Sequence, residues 1–132
     1  MRPLRTIVLP RGEHARLSAA ARKRWRDARA FQADVRATLA RQRVSFMEWL
    51  VLETLRELCD ETGGAVSQNL VADRAGLTRQ VASYWMIVMS ETDLVDRGPS
   101  ATGHAWRVIL TDLGERTLRA CNERLEEAGL TG

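Results

Sequence analysis

Apolar residues recur along this chain at steps of three and four, the spacing that puts one face of a helix against a core. The first stripe runs Leu17, Ala21, Trp25, Ala28, Phe31 or Gln32, Val35 and Leu39, enough for one long helix. A second helix opens at Ser45, a residue type suited to an N-cap, with Glu48 three residues on as in a capping box. Its stripe is Phe46, Trp49, Leu50, Leu52, Leu55, Leu58 and Cys59, and Gly63-Gly64 ends it. Ser67 then caps a short helix from Gln68 to Ala75, which Gly76 closes in a left-handed conformation. Thr78 caps the next helix at once, and two helices joined by so short a glycine-containing turn predict a helix-turn-helix.

The stretch Val81 to Met89, VASYWMIVM, has the composition of a buried strand. Its spacing decides against that. A helix from Arg79 to about Thr92 gathers Ala82, Trp85, Met86 and Met89 on one side and leaves Arg79, Gln80, Ser83 and Tyr84 on the start and the other faces. No turn residue interrupts Thr78 to Thr92, where a strand would have to end. After it, Leu94 to Arg97 and Ala105 to Leu110 alternate as strands around the turn-forming Gly98-Pro99-Ser100-Ala101-Thr102-Gly103. Thr111 or Asp112 caps a last helix with the stripe Leu113, Thr117, Cys121, Leu125 and Ala128. The predicted fold is mainly α with a small β-hairpin wing, a winged helix-turn-helix of order α-α-α-α-β-β-α.

Composition adds bounds. A chain of 132 residues, 45% hydrophobic and 28% charged, suits one globular domain. No segment reaches the length of a membrane span, the Ile7-Val8-Leu9 patch is too short for a signal-peptide core, and the two cysteines make no disulfide framework. A cytoplasmic protein is expected, with no membrane partner. Charge is divided unevenly: residues 1–43 hold twelve basic and three acidic side chains, a net +9, and residues 44–132 hold eight and fourteen, a net −6. Such a split marks a basic segment that meets a polyanion, or a helix with a solvated basic face.

Residues 44–118 resemble the MarR family of bacterial winged helix-turn-helix regulators. The resemblance rests on Val44-Ser45-Phe46-Met47-Glu48-Trp49 at the opening of the second helix and Leu70-Val71-Ala72-Asp73-Arg74-Ala75-Gly76-Leu77-Thr78 at the turn. It continues through Asp93-Leu94-Val95-Asp96-Arg97 at the exit of the recognition helix and Leu110-Thr111-Asp112-Leu113-Gly114 at the end of the wing. It implies a homodimer joined by its terminal helices, here 17–43 and 112–132, around a DNA-binding domain at 44–111, with residues 1–16 as a basic arm. It also implies a recognition helix in the major groove and a wing along the minor groove of a pseudo-palindromic site. The chain departs from the family where Thr102, Gly103 and His104 replace the wing's Asp-x-Arg, and where apolar Ile87 and Val88 stand late in the recognition helix.

Residues 67–111 carry four arginines, Arg74, Arg79, Arg97 and Arg107, against Asp73, Glu91, Asp93 and Asp96, a thin electrostatic footprint for a DNA reader. Arg2, Arg5 and Arg11 of the arm are therefore expected to add phosphate or minor-groove contacts. Arg79, Gln80, Ser83 and Tyr84 are the candidates for base edges and phosphates, since arginine pairs with guanine and glutamine with adenine. The caps Ser67 and Thr78, and Arg97 beside the wing, complete the candidate DNA-binding set. Catalysis finds no support: His14 and His104 stand without clustered carboxylates or metal-ligand spacing, and neither a phosphate-cradling glycine loop nor a nucleophile elbow occurs. No cofactor or metal is expected, and no ligand is proposed. Cys59 and Cys121 are either buried structural thiols or oxidant sensors. Two functions stay open: a dimeric regulator of transcription binding double-stranded DNA, which occupies a promoter or recruits RNA polymerase, or an interaction module whose apolar recognition helix, through Ile87 and Val88, binds another protein partner.

Overall fold

The computed structural model describes residues 13–103 and 105–131, with side chains from Arg16 onward. Arg2, Arg5, Arg11 and His104 lie outside the described residues. Two units divide the chain, residues 1–33 and 34–132.

Helix α1 spans Glu13–Leu39 and is followed by a 3-10 turn at Ala40–Gln42. It starts four residues before the apolar stripe does, because no helix-breaking residue follows Gly12 and the turn before the stripe needs no core contact. In the first unit, Leu17, Trp25 and Phe31 are exposed, and Arg29 lies over the Trp25 ring at 5.5 Å. In the second unit, Val35 and Leu39 are buried in a cluster with Val44, Cys121 and Leu125.

The second unit holds the winged helix. Helix α2 (Phe46–Thr62) begins with the expected capping box, Ser45 Oγ accepting from Glu48 N–H at 3.1 Å and Glu48 Oε1 from Ser45 N–H at 3.2 Å. Strand β1 (Val66–Ser67), helix α3 (Gln68–Ala75), helix α4 (Arg79–Glu91), strands β2 (Val95–Pro99) and β3 (Trp106–Leu110) and helix α5 (Asp112–Glu127) follow. Val51, Leu52, Leu55 and Leu58 of α2 form a core with Val71, Met86, Met89, Val95, Val108 and Leu118. A second tie joins α2 to α5: Trp49 Nε1–H donates to Asn122 Oδ1 at 2.9 Å, and the Asn122 amide donates to Glu53.

One expectation is extended and one is corrected. The expected hairpin is present as β2–β3, and β1 adds a third antiparallel strand in the order β1-β3-β2. The extra strand is two residues long, too short to show alternation, and only its pairing of Val66 with Val108 and Ser67 with Arg107 defines it. The stripe of α5 is also shifted. Gly114, Leu118, Cys121 and Leu125 are buried, and Leu113 and Ala128 are exposed. The reason is the first turn of α5. Thr111 caps it by accepting from Gly114 N–H at 2.9 Å, while its hydroxyl donates to Asp93 O at 2.6 Å. The helix thus begins pressed against the turn between α4 and β2, where a Cβ on Gly114 would overlap Leu94 O.

That overlap involves backbone, which cannot rotate away as a side chain can. Gly114→Ala is expected to cost about 3 kcal/mol in denaturant unfolding, the upper end for overpacking. Gly64→Ala is the control: its φ is ordinary and a Cβ there meets nothing within 4 Å. It should change stability by less than about 1 kcal/mol.

Candidate nucleic-acid interface

The helix-turn-helix is built from local bonds. Gly76, at φ +71°, ends α3 as a left-handed residue. Leu77 N–H donates to Ala72 O at 2.9 Å and Gly76 N–H to Asp73 O at 3.3 Å, the paired bonds of a Schellman ending. One residue later Thr78 starts α4, its Oγ1 accepting from Val81 N–H at 3.2 Å. At its other end, Asp93 takes the left-handed conformation (φ 63°) while Leu94 N–H reaches Met89 O at 2.9 Å. An aspartate tolerates this region where most side chains do not.

Inside α4, Ala82, Met86 and Met89 are buried and set the helix's rotation. Thr78, Arg79, Gln80 and Tyr84 are exposed, and Ser83 is half-buried. Tyr84 stands edge-on to half-buried Trp85, ring centroids 5.1 Å apart. Five of the candidate residues are thus together on one helix. Ile87 is exposed on the same helix and Val88 half-buried.

Two further candidates, Ser67 and Arg97, sit at the foot of the wing. Ser67 is the N-cap of α3, its Oγ accepting from Asn69 N–H at 3.2 Å, and that cap occupies it. Its neighbour Gln68 is buried and accepts from Arg97 Nε–H through Oε1 at 2.8 Å. Arg97 lies 3.7 Å above the ring of exposed Trp106, and its partial burial lowers its pKa. The ladder makes this pairing. Arg97 faces Val108 and Pro99 faces Trp106, so Trp106 is the diagonal neighbour of Arg97 on the same side of the sheet. Gln68 and Trp106 were not among the sequence candidates; Trp106 meets Arg97 through the strand register, and Gln68 through a tertiary bond from α3, neither of which a local pattern encodes.

Two of the four arginines in the segment are committed elsewhere. Arg74 bonds Glu57 at 2.5 Å and Glu61 at 3.0 Å, both on α2, and these partners raise its pKa. Arg107 donates to Ala65 O. Arg79 makes no ion pair among the described residues. In the wing turn, Ser100 N–H donates to Ala105 O at 2.7 Å and Gly103 is left-handed at φ +74°; no arginine occurs in 100–103.

No family model matches the sequence, and no curated protein matches it either. Solved structures do. A MarR family transcriptional regulator from Streptomyces coelicolor superposes with a TM-score of 0.75 at 17% identity, covering 90% of this chain and 79% of that one. A mutant MarR from E. coli complexed with operator DNA gives 0.73 at 11% identity, over 87% and 79%. The M. tuberculosis transcriptional regulator MOSR in complex with DNA gives 0.69 at 18% identity, over 83% and 77%. The chain has the winged helix-turn-helix fold of MarR-type regulators, as its sequence motifs imply. Among the described residues no helix is long and apolar enough to cross a membrane.

The cysteines are poorly placed to react. Burial, with a contribution from Glu48, pushes the Cys121 thiol up to about 11, and burial also raises Cys59, which is half-buried. Both thiols are protonated near neutral pH, and the thiolate is the nucleophile. At pH 8 a maleimide should modify Cys59 slowly and Cys121 only after unfolding, read by mass spectrometry of the digested protein. Because Cys121 holds its proton more tightly when folded, its contribution to stability should fall as pH rises from 9.0 towards about 11. Fast labelling of Cys121 in the native protein at pH 8 would contradict both statements.

Proposed function

We propose that this protein is a cytoplasmic, sequence-specific DNA-binding regulator of transcription, not an enzyme. It binds double-stranded DNA as a homodimer at a pseudo-palindromic site, with α4 in the major groove. The observation that carries this reading is the exposed start of α4, where Arg79 and Gln80 follow the capping Thr78 on the surface of the second helix of a helix-turn-helix. Ser83 and Tyr84, one turn further on, extend the same surface. The fold is one that DNA-bound regulators also have.

Dimerisation through segments 17–43 and 112–132 is supported by the first unit taken alone. A helix exposing Leu17, Trp25 and Phe31 on one line gains stability chiefly by packing that line on something, and a second copy supplies it. Arginines of that segment and of the arm 1–16, among them Arg2, Arg5 and Arg11, supply the positive charge that segment 67–111 lacks, since Arg74 and Arg107 are engaged within the protein. Arg97, held between Gln68 and Trp106, offers its outer guanidinium edge to a phosphate at the wing's foot. The competing reading, α4 as a dock for RNA polymerase or another protein, rests on exposed Ile87; Arg79 and Gln80 beside it favour DNA.

The test is titration of the full chain against a duplex enriched from a random library, at several salt concentrations. Arg79→Ala and Gln80→Ala should each weaken binding about 5- to 150-fold, the range for removing a base-edge pair worth ~1–3 kcal/mol. Deleting residues 1–16 should flatten the log–log salt slope by ~0.9 for each phosphate that the arm neutralises. Variants and deletion that all bind as the parent does would refute the DNA-binding reading of these segments.

A further inference from the structure

Beyond Gln80, the line that α4 turns outward is mostly apolar. Val81 is 38% exposed, Tyr84 59% and Ile87 42%. None of them serves the core, which takes Ala82, Met86 and Met89 from this helix. At the helical step of about 100° per residue, Gln80, Tyr84, Ile87 and Glu91 fall opposite the buried line. Val81 and Val88 flank them on one side, and Arg79, Ser83 and Ser90 lie on the other. The apolar strip of Val81, Tyr84, Ile87 and half-buried Val88 thus has polar residues along one side only, with Gln80 at one end and Glu91 at the other.

The floor of the major groove offers one apolar group, the C5 methyl of thymine, and adenine, which glutamine recognises, is thymine's partner. Gln80 and Ile87 are ~10 Å apart along the axis at about 1.5 Å per residue, within a groove about 12 Å wide. We infer that Tyr84 and Ile87, with Val81 beside them, read thymine methyl groups, so that each half-site is defined by A·T pairs next to the base met by Gln80. This rests on the DNA-binding reading of α4 given above. A protein partner fits the strip less well. Interfaces between proteins bury about 800 Å² on each side around an apolar centre, and here the apolar side chains are only Val81, Tyr84, Ile87 and half-buried Val88, bounded by polar ones on one side and at both ends.

The experiment uses the full chain and duplexes enriched from a random library, with thymines of the selected site replaced one at a time by deoxyuridine. That exchange deletes the methyl and keeps the base pair. Burying one such group is worth about 0.8 kcal/mol, so at contacted thymines the exchange should weaken binding about fourfold. Ile87→Ala, at an exposed position where folding is not at stake, should abolish the thymine preference at one or two positions and keep the rest. Gln80→Ala should leave the methyl effect in place. A site without thymine, or one indifferent to deoxyuridine throughout, overturns the inference and leaves the DNA-binding reading standing. Enrichment of no site at all sinks both. If Ile87→Asp changes the protein's mass in solution or its capture of polymerase while DNA affinity holds, the strip belongs to a protein interface and the inference is wrong.

Discussion

The burial of Ala82, Met86 and Met89, the two methionines in one core with the leucines of α2, governs what the rest of the molecule can present. A helix has one rotation about its axis, and these three side chains choose it. The outward line of α4 follows from that choice: Gln80, Tyr84 and Ile87 point outward because they lie about half a turn around the axis from Ala82, Met86 and Met89. The close approach of Gly114 to Leu94 O does the same for position along the axis, holding the end of α4 and the start of β2 against α5. Rotation and position together aim the helix start.

Charge is arranged around this frame in an uneven way. The arginine that would thicken the field of the helix-turn-helix, Arg74, is bound by two glutamates of α2, and Arg107 by a backbone carbonyl. They fasten elements together and leave Arg79 and the outer edge of Arg97 to meet an anion. Such a surface has a modest pull of its own on a duplex, and most of the chain's excess positive charge sits in residues 1–43. Long-range attraction and base reading would then come from different parts of the protein.

Much of this is legible in the sequence where the signal is local. The caps Ser45, Ser67, Thr78 and Thr111, the glycines Gly63 and Gly76, and the helical reading of VASYWMIVM all depend on neighbours within four residues, and all hold. What escapes a sequence reading depends on distant partners. Strand β1 exists only by pairing with β3, and Arg97 meets Trp106 only through the ladder register. The phase of α5 is misread because Leu113 is apolar and Gly114 is not counted so, although it is the glycine that approaches the core. At the candidate site the sequence distinguishes the polar start of α4 from its apolar continuation, and exposure then shows that Ile87 faces solvent.

The central claim is that the outward line of α4 lies in a major groove, twice, in a symmetric complex. Replacing single purines of the enriched duplex by 7-deazapurines tests it most directly, because this removes one acceptor from the major-groove edge and leaves the minor groove unchanged. Binding should weaken at two clusters of purines whose centres are about one helical turn, or a whole number of turns, apart. Binding that ignores every 7-deaza substitution and responds only to changes in the minor groove would contradict it.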